Sequence, residues 1–196
     1  MYYHPLRLAA INAIEHAGLA LKSLSEVIEF RRELVTDMPE GLQYVGLENI
    51  SSNSGEFIET GEKQNISSAF RFHKGDVLFP KLRPYLNKVF LADFDGICST
   101  EFHVLKVKEC SAEYLFSFLT RSVVLEQTSR LMTGNTLPRL QTEDIEALLI
   151  PLPTIEKQNK IASGMKKLLE QAKQLRNKAD ELMATMRDKL TQMILA

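Results

Sequence analysis

The sequence predicts an α+β globule followed by one long coiled-coil helix, and three observations carry that expectation. Short β-branched or aromatic runs, bounded by Gly, Pro, Asp or Asn, crowd residues 41–107, which is the pattern of a mixed, mostly short-stranded sheet. Residues with helix-capping chemistry precede short amphipathic stretches on either side of that region. Beyond Pro151 and Pro153 the apolar residues fall on two interleaved heptad rows. A chain of 196 residues suits one domain of about 150 residues with an appendage. Residues 1–153 form the expected globule and residues 154–196 the expected helix.

Taken in order, residues 6–17 suit a short helix stopped by Gly18, because glycine tolerates the left-handed backbone that ends many helices. Ser23-Leu24-Ser25-Glu26 has capping-box spacing and should open a second helix over about 24–31. Strands are expected at Tyr44–Leu47, Gly55–Ile58, Asp76–Phe79, Asn87–Leu91 and Phe102–Val107. Ser111 can cap a helix over about 112–129, with Tyr114, Leu115, Phe118 and Leu119 on one side. Thr142 can cap a shorter helix over 143–148, and Leu149-Ile150 reads as a last short strand.

In the terminal helix one row is Ile161, Leu168, Leu175 and Leu182, and the other is Met165, Ala172, Ala179, Met186 and Met193. Their alternating spacings of four and three make the a/d seam of a coiled coil. At about 1.5 Å per residue such a helix reaches roughly 60 Å, more than a domain of this size buries against itself. A partner helix is therefore expected, from a second copy or from another subunit. Ala172 and Ala179 would let it approach closely.

Composition narrows the function. Hydrophobic residues make up 44% of the chain, enough for a proper core, and no apolar run approaches the roughly 20 residues of a membrane span. Met1–Pro5 lacks a signal-peptide pattern, and Cys98 and Cys110 lack metal or redox spacing, so buried thiols in a reducing cytoplasm are expected. The net charge of −1 hides segregation: residues 61–90 hold 6 basic and 2 acidic side chains, and residues 156–196 hold 9 and 5. Two basic islands in an otherwise acidic chain suggest localised contact with an anionic partner. No phosphate-binding loop, GxGxxG, HExxH or nucleophile elbow occurs. His4, His16, His73 and His103 are scattered, and Asp93, Asp95 and Glu101 read as turn acids before they read as a cation site. No catalytic residue, metal or cofactor is expected, and the chain reads as a binder.

The stretch Phe70–Val89 is the strongest candidate surface. Lys81 and Arg83 lie two apart in a segment that Pro80 and Pro84 keep extended, which would project both to one side. Tyr85, Asn87 and Lys88 follow. Arginine suits guanine edges, asparagine adenine edges and lysine phosphates, although a solvated, proline-stiffened loop fits the composition equally. In the second candidate loop, Arg130–Arg139, Gly134 permits an unusual backbone while Asn135, Thr136 and Arg139 supply donors and acceptors. The competing reading is a helix connection in which Arg139 bridges to a carboxylate.

Three segments resemble the target-recognition domain of DNA specificity subunits from type I restriction-modification systems: Lys74–Lys88, Asp95–Leu105, and the junction Ile150–Ile161 that enters the helix. The similarity runs in order from about Leu21 onward. It implies a non-catalytic subunit that binds double-stranded DNA and directs a methyltransferase subunit and, through it, a motor-nuclease subunit. The usual family pattern is two recognition domains separated by two antiparallel helices. This chain carries one of each, so it is expected either to be a piece of such a subunit or a half that homodimerises through Ile161, Met165, Leu168, Ala172, Leu175, Ala179, Leu182 and Met186. Under the resemblance Lys81, Arg83, Tyr85, Asn87, Lys88, Asn135, Thr136 and Arg139 would line the DNA groove. Two readings compete with it: a recognition module of a fused or two-subunit restriction-methyltransferase, and a coiled-coil scaffold with no DNA role.

Overall fold

The computed structural model describes residues 5–16, 18–37, 41–60, 66–128, 131 and 138–195. Along the chain, α1 (Pro5–Glu15) precedes β1 (Ala20–Ser23), the single turn α2 (Leu24–Val27) and β2 (Ile28–Arg31). Next come β3 (Leu34–Val35), β4 (Gln43–Val45), β5 (Ala69–Phe72), β6 (Val77–Pro80), β7 (Phe90–Leu91), β8 (Gly96–Ser99) and β9 (Phe102–Val107). The helices α3 (Ala112–Leu119), α4 (Ser122–Thr128) and α5 (Thr142–Glu146) follow, then β10 (Leu149–Leu152) and α6 (Ile155–Leu195).

Two four-stranded sheets stack, and helices cover the outer face of one of them. The central sheet has the order β2-β9-β6-β7 and is antiparallel; the outer sheet runs β3-β5-β8-β4, with β4 parallel to β8. Alternation along β6 explains the layering. Leu78 points between the sheets, toward Val45, Phe72, Cys98, Phe102 and Val104. Val77 and Phe79 point the other way, toward Leu24, Leu115, Leu119, Val124 and Ile145. A strand buried on both faces reads as an unbroken apolar run, which is why Val77-Leu78-Phe79 carries no polar alternation. Four rings, Phe57, Phe72, Phe90 and Phe94, cluster between the sheets with centroids 5.7–6.5 Å apart. Gly96 is required beside them: a Cβ there would sit 2.7 Å from the Phe72 ring and 2.6 Å from the Gln43 carbonyl.

Several local expectations need correction. The second helix stops after one turn, although the Glu26 carboxylate accepts the Ser23 N–H at 2.7 Å as the capping box requires. Residues 28–31 leave the helix because Ile28 and Phe30 pair in register with Val107 and Leu105 of β9, and this burial outweighs the weak local propensity. The Gly55–Ile58 strand reduces to one bridge between Ile50 and Phe57, and the Asn87–Leu91 strand to β7. The helix capped by Ser111 ends at Leu119, where the Thr120 hydroxyl donates to the Phe116 and Ser117 carbonyls, and α4 resumes at Ser122. β1, β3, β5 and β8 are not among the expected strands, and β1 closes antiparallel on β10.

Pro153 ends β10 and α6 begins two residues later. Gln158, buried in its first turn, donates to the Pro153 carbonyl at 2.9 Å and accepts the Ser111 N–H at 2.9 Å. One amide thus ties the long helix to the start of α3. Tyr114 adds a hydrogen bond from its hydroxyl to the Pro151 carbonyl. Further along, Glu56 forms ion pairs with Lys173 and Arg176. Beyond that clamp the helix continues without covering from its own domain.

Candidate nucleic-acid interface

Three backbone segments run side by side where β6 ends. The Lys81 N–H donates to the Glu101 carbonyl at 2.8 Å, the Leu140 N–H to the Lys81 carbonyl at 3.0 Å, and the Arg83 N–H to the Pro138 carbonyl at 2.9 Å. Pro80 is buried at the end of β6, opposite Phe102. It is tolerated there because β7 pairs only as far as Leu78, which leaves Pro80 no neighbour on that side and its missing N–H costs the ladder nothing.

The chain then turns sharply. Arg83 (φ 47°) and Asn87 (φ 52°) both hold left-handed backbone around a 3₁₀ turn, Pro84–Leu86. Left-handed geometry at a non-glycine residue carries strain that surrounding contacts must sustain, and Asn87 supplies them. Its buried side-chain amide donates to the Asn53 side chain at 3.1 Å and to the Thr120 carbonyl at 2.9 Å. Its own carbonyl accepts the Asn53 N–H at 3.0 Å. Arg83 is exposed, and Tyr85 remains 52% exposed at the tip. The result is a rigid knuckle that presents a guanidinium and a phenol ring.

The remaining sequence candidates point elsewhere. Lys81 and Arg83 do not project to one side, because the left-handed turn at Arg83 interrupts the extended segment. Lys81 folds inward: its ammonium donates to the Thr100 carbonyl at 2.8 Å and lies 4.9 Å from the Phe70 ring centroid, and burial lowers its pKa. Lys88 donates to the Leu47 carbonyl at 2.8 Å. The Arg139 guanidinium forms two hydrogen bonds with Glu101, at 3.1 and 2.7 Å, a partner that raises its pKa. Asn135 and Thr136 lie outside the described residues.

Sequence reasoning passed over Arg32, which is exposed beside the same surface with its guanidinium 5.7 Å from the Phe30 ring centroid. The Arg31-Arg32 doublet at a strand end was the available signal. His103 lies beneath this surface, its ring packed edge-on against Phe30 at 5.4 Å. Burial, with Lys81 and Arg32 adding to it, holds its pKa down to about 3, so the imidazole is neutral. Asp95 accepts the Lys74 N–H at 2.7 Å and faces His73, while Glu101 is engaged by Arg139. Both Cys98 and Cys110 are free thiols, pushed up by burial to about 12 and about 11.

On α6 the row Ile161, Leu168, Leu175 and Leu182 is uncovered, with Leu168 and Leu182 each 63% exposed. Met165 and Ala172 sit half-buried on the side toward the domain, while Ala179 and Met186 are exposed beyond it. Among the described residues no helix is long and apolar enough to cross a membrane.

Fold and surface together define a recognition module, a layered α+β domain that holds out a rigid cationic turn and leads into a projecting helix. The chain belongs to the type I restriction modification DNA specificity domain family, which matches residues 20–183. It is 28% identical over 130 residues to the type I restriction enzyme EcoDI specificity subunit of Escherichia coli, an alignment covering 66% of this chain and 29% of that protein. A chain from the structure describing complex assembly and conformational transition of the type I R-M system superposes with a TM-score of 0.66 at 28% identity, over 84% of this chain and 45% of that one. The HsdS subunit from Thermoanaerobacter tengcongensis gives 0.63 at 27% identity, again over 84% and 45%. The chain therefore spans less than half the length of these relatives.

Proposed function

We propose that this chain reads one half of an interrupted DNA target for a type I restriction-modification system and completes itself by pairing α6 antiparallel with α6 of a second copy. Residues 1–153 are the recognition unit and residues 154–196 the spacer. The chain performs no catalysis; it places a methyltransferase subunit, and through it a motor-nuclease subunit, on double-stranded DNA in the cytoplasm. The observation that carries this reading is the uncovered row Ile161, Leu168, Leu175 and Leu182 beside a specificity domain of this family. Such a row stays in water only at a cost, roughly 25 cal/mol for each Å² of apolar surface, and an antiparallel copy of the same helix removes it. Twofold symmetry makes the target an interrupted palindrome.

In this reading Arg83 and Tyr85 enter the groove, and Asn135 and Thr136 add contacts to the DNA. Lys81, Asn87, Lys88 and Arg139 act by holding the surface in shape. Two measurements test it. Sedimentation should give a dimer at tens of micromolar, and a monomer would count against the pairing. With the methyltransferase subunit present, binding to an interrupted palindrome should weaken steeply with salt. A pairing chain with no DNA affinity under those conditions would instead be a coiled-coil scaffold.

A further inference from the structure

The loop that follows the 3₁₀ turn Leu47–Asn49 touches the knuckle with one edge and the long helix with the other. On the knuckle side the Asn53 N–H donates to the Asn87 carbonyl at 3.0 Å, and the Asn87 side-chain amide donates back to the Asn53 side chain at 3.1 Å. On the helix side Glu56 meets Lys173 at 2.5 Å and Arg176 at 3.5 Å. Between these edges the loop is held from within. The Ser51 N–H donates to the Glu56 carbonyl at 2.9 Å and the Gly55 N–H to the Ser51 carbonyl at 3.1 Å. The buried Asn49 side chain donates to the Ile58 carbonyl and the Thr60 hydroxyl. Gly55 holds left-handed backbone, and a Cβ there would meet the Val89 carbonyl at 2.5 Å and the Phe116 ring at 2.6 Å. Asn53, Gly55 and Glu56 are therefore one piece with the knuckle and with α3.

We infer that Glu56 is a positioning residue for target spacing, and that this loop is a strut fixing the angle between the DNA-facing knuckle and the long helix. The inference rests on the reading of α6 as a spacer proposed above. Leu169, Lys173 and Arg176 fall at i, i+4 and i+7, one stripe of the helix. Leu169 packs on the helix-layer core, while every residue of α6 from Lys173 to Leu195 is exposed. Gln158 fastens the base of the helix, and Glu56 grips it again about 27 Å further along. Two fastenings that far apart fix a direction. Exposed ion pairs add little to folding stability, so the grip acts through geometry. From Leu169 to Leu195 the helix runs about 39 Å. A tilt of about 5° moves its far end by about 3.4 Å, one base-pair step. A small freedom at Glu56 thus becomes an error of one base pair in the gap between half-sites.

Two measurements test the strut in the full chain, and the first needs no DNA. A Cys110→Ser background leaves only the buried Cys98. There, spin labels at Asp93→Cys and Thr185→Cys, both exposed positions, should give one narrow distance distribution when unlabelled chain is in excess. Glu56→Lys sets a third cation against Lys173 and Arg176 and should broaden that distribution roughly twofold or more. Adding Lys173→Glu and Arg176→Glu exchanges the charges and should narrow it again. The second measurement adds the methyltransferase subunit and duplexes carrying the two half-sites that the wild-type complex methylates, with the gap changed by one base pair in either direction. Wild type should prefer its own gap by about tenfold or more, because one step displaces and rotates a half-site. In Glu56→Lys the preference should fall to about threefold or less, and the charge exchange should recover it. A label distance as narrow in Glu56→Lys as in wild type, or an affinity that drops equally on every gap, overturns the strut. A wild-type complex indifferent to the gap, with label distances that still respond to Glu56→Lys, removes the spacer reading and the role in spacing with it, and leaves only the grip on the helix.

Discussion

The knuckle at residues 83–87 and the distal half of α6 are opposite kinds of surface. Around the knuckle the sequence displays charge, and the fold consumes most of it: Lys81 binds Thr100, Lys88 binds Leu47 and Arg139 binds Glu101. Along the distal helix the sequence displays leucine and methionine, and the fold covers almost none of them. Charge is cheap to satisfy within a domain, because any nearby carbonyl or carboxylate serves. An apolar row needs a matching apolar face of the same length, and a small domain does not supply one for a helix of 41 residues. The uncovered row is therefore the stronger evidence for a partner, and the charged stretch is evidence for a partner only at the residues left free.

The largest effect should come from attacking that row. Leu168→Glu combined with Leu175→Glu places four carboxylates in the paired seam of a dimer and removes four buried leucines. At about 1.5–3 kcal/mol per leucine, the dissociation constant should rise at least a thousandfold, with the thermal melting of the monomeric domain unchanged. Sedimentation and circular dichroism measured together check both halves of this expectation. An unaltered dimer would show that the apolar row has some other occupant.

At the knuckle, the contrast predicts that Asn87 matters for stability and Arg83 for DNA. Asn87→Ala leaves the Thr120 carbonyl without its donor and forces a Cβ-bearing residue with no compensating hydrogen bonds into left-handed backbone. The expected loss is about 2–4 kcal/mol in urea unfolding, and Asn87→Gly should recover the backbone part of it. Arg83→Ala should cost about 1–3 kcal/mol of DNA affinity while leaving unfolding unchanged. Lys81→Met should do the reverse in kind, with little effect on DNA and a small one on folding. Equal losses of DNA affinity for Lys81 and Arg83 would show that the inward position of Lys81 is not the one used on DNA.

How much of this was legible in the sequence follows from how local each feature is. The terminal helix was readable almost to the residue because heptad spacing needs no knowledge of the fold. β6 and β9 were readable for the same reason, as runs of buried side chains. The strand at Ile28–Arg31 was not, because its partner β9 lies more than seventy residues away and a capping box argued locally for helix. The fates of Lys81, Asn87 and Arg139 were hidden likewise: Thr100, Thr120 and Glu101 become neighbours only when three separate segments meet. Arg83 was named for a reason the structure replaces, since it is displayed by a left-handed turn and not by an extended strand. Gln158, which fastens the helix to the domain, looks like any polar residue in a helical first turn. Nothing in its surroundings in sequence points to Ser111.

The smallest expected effect concerns the support beneath the knuckle and separates folding from recognition by pH. In the unfolded chain the His103 imidazole titrates near its ordinary 6.5, whereas in the fold burial, reinforced by Lys81 and Arg32, lowers that value to about 3. Between those limits the unfolded chain takes up a proton that the folded chain refuses. The stability from His103 is therefore complete above pH 6.5 and drains away as pH falls toward 3. At pH 5.5 the loss should be about 1 kcal/mol, seen as a lower urea midpoint than at pH 7. His103→Leu keeps the side chain apolar against Phe30 and removes the titration, so its midpoint should fall less over the same interval. An acid limb of unchanged steepness in His103→Leu would place the responsible protons on other groups. Because the imidazole lies under the surface and not on it, the DNA affinity of the folded protein should not follow this titration, and a matching pH dependence of binding would mean that the support moves when DNA is bound.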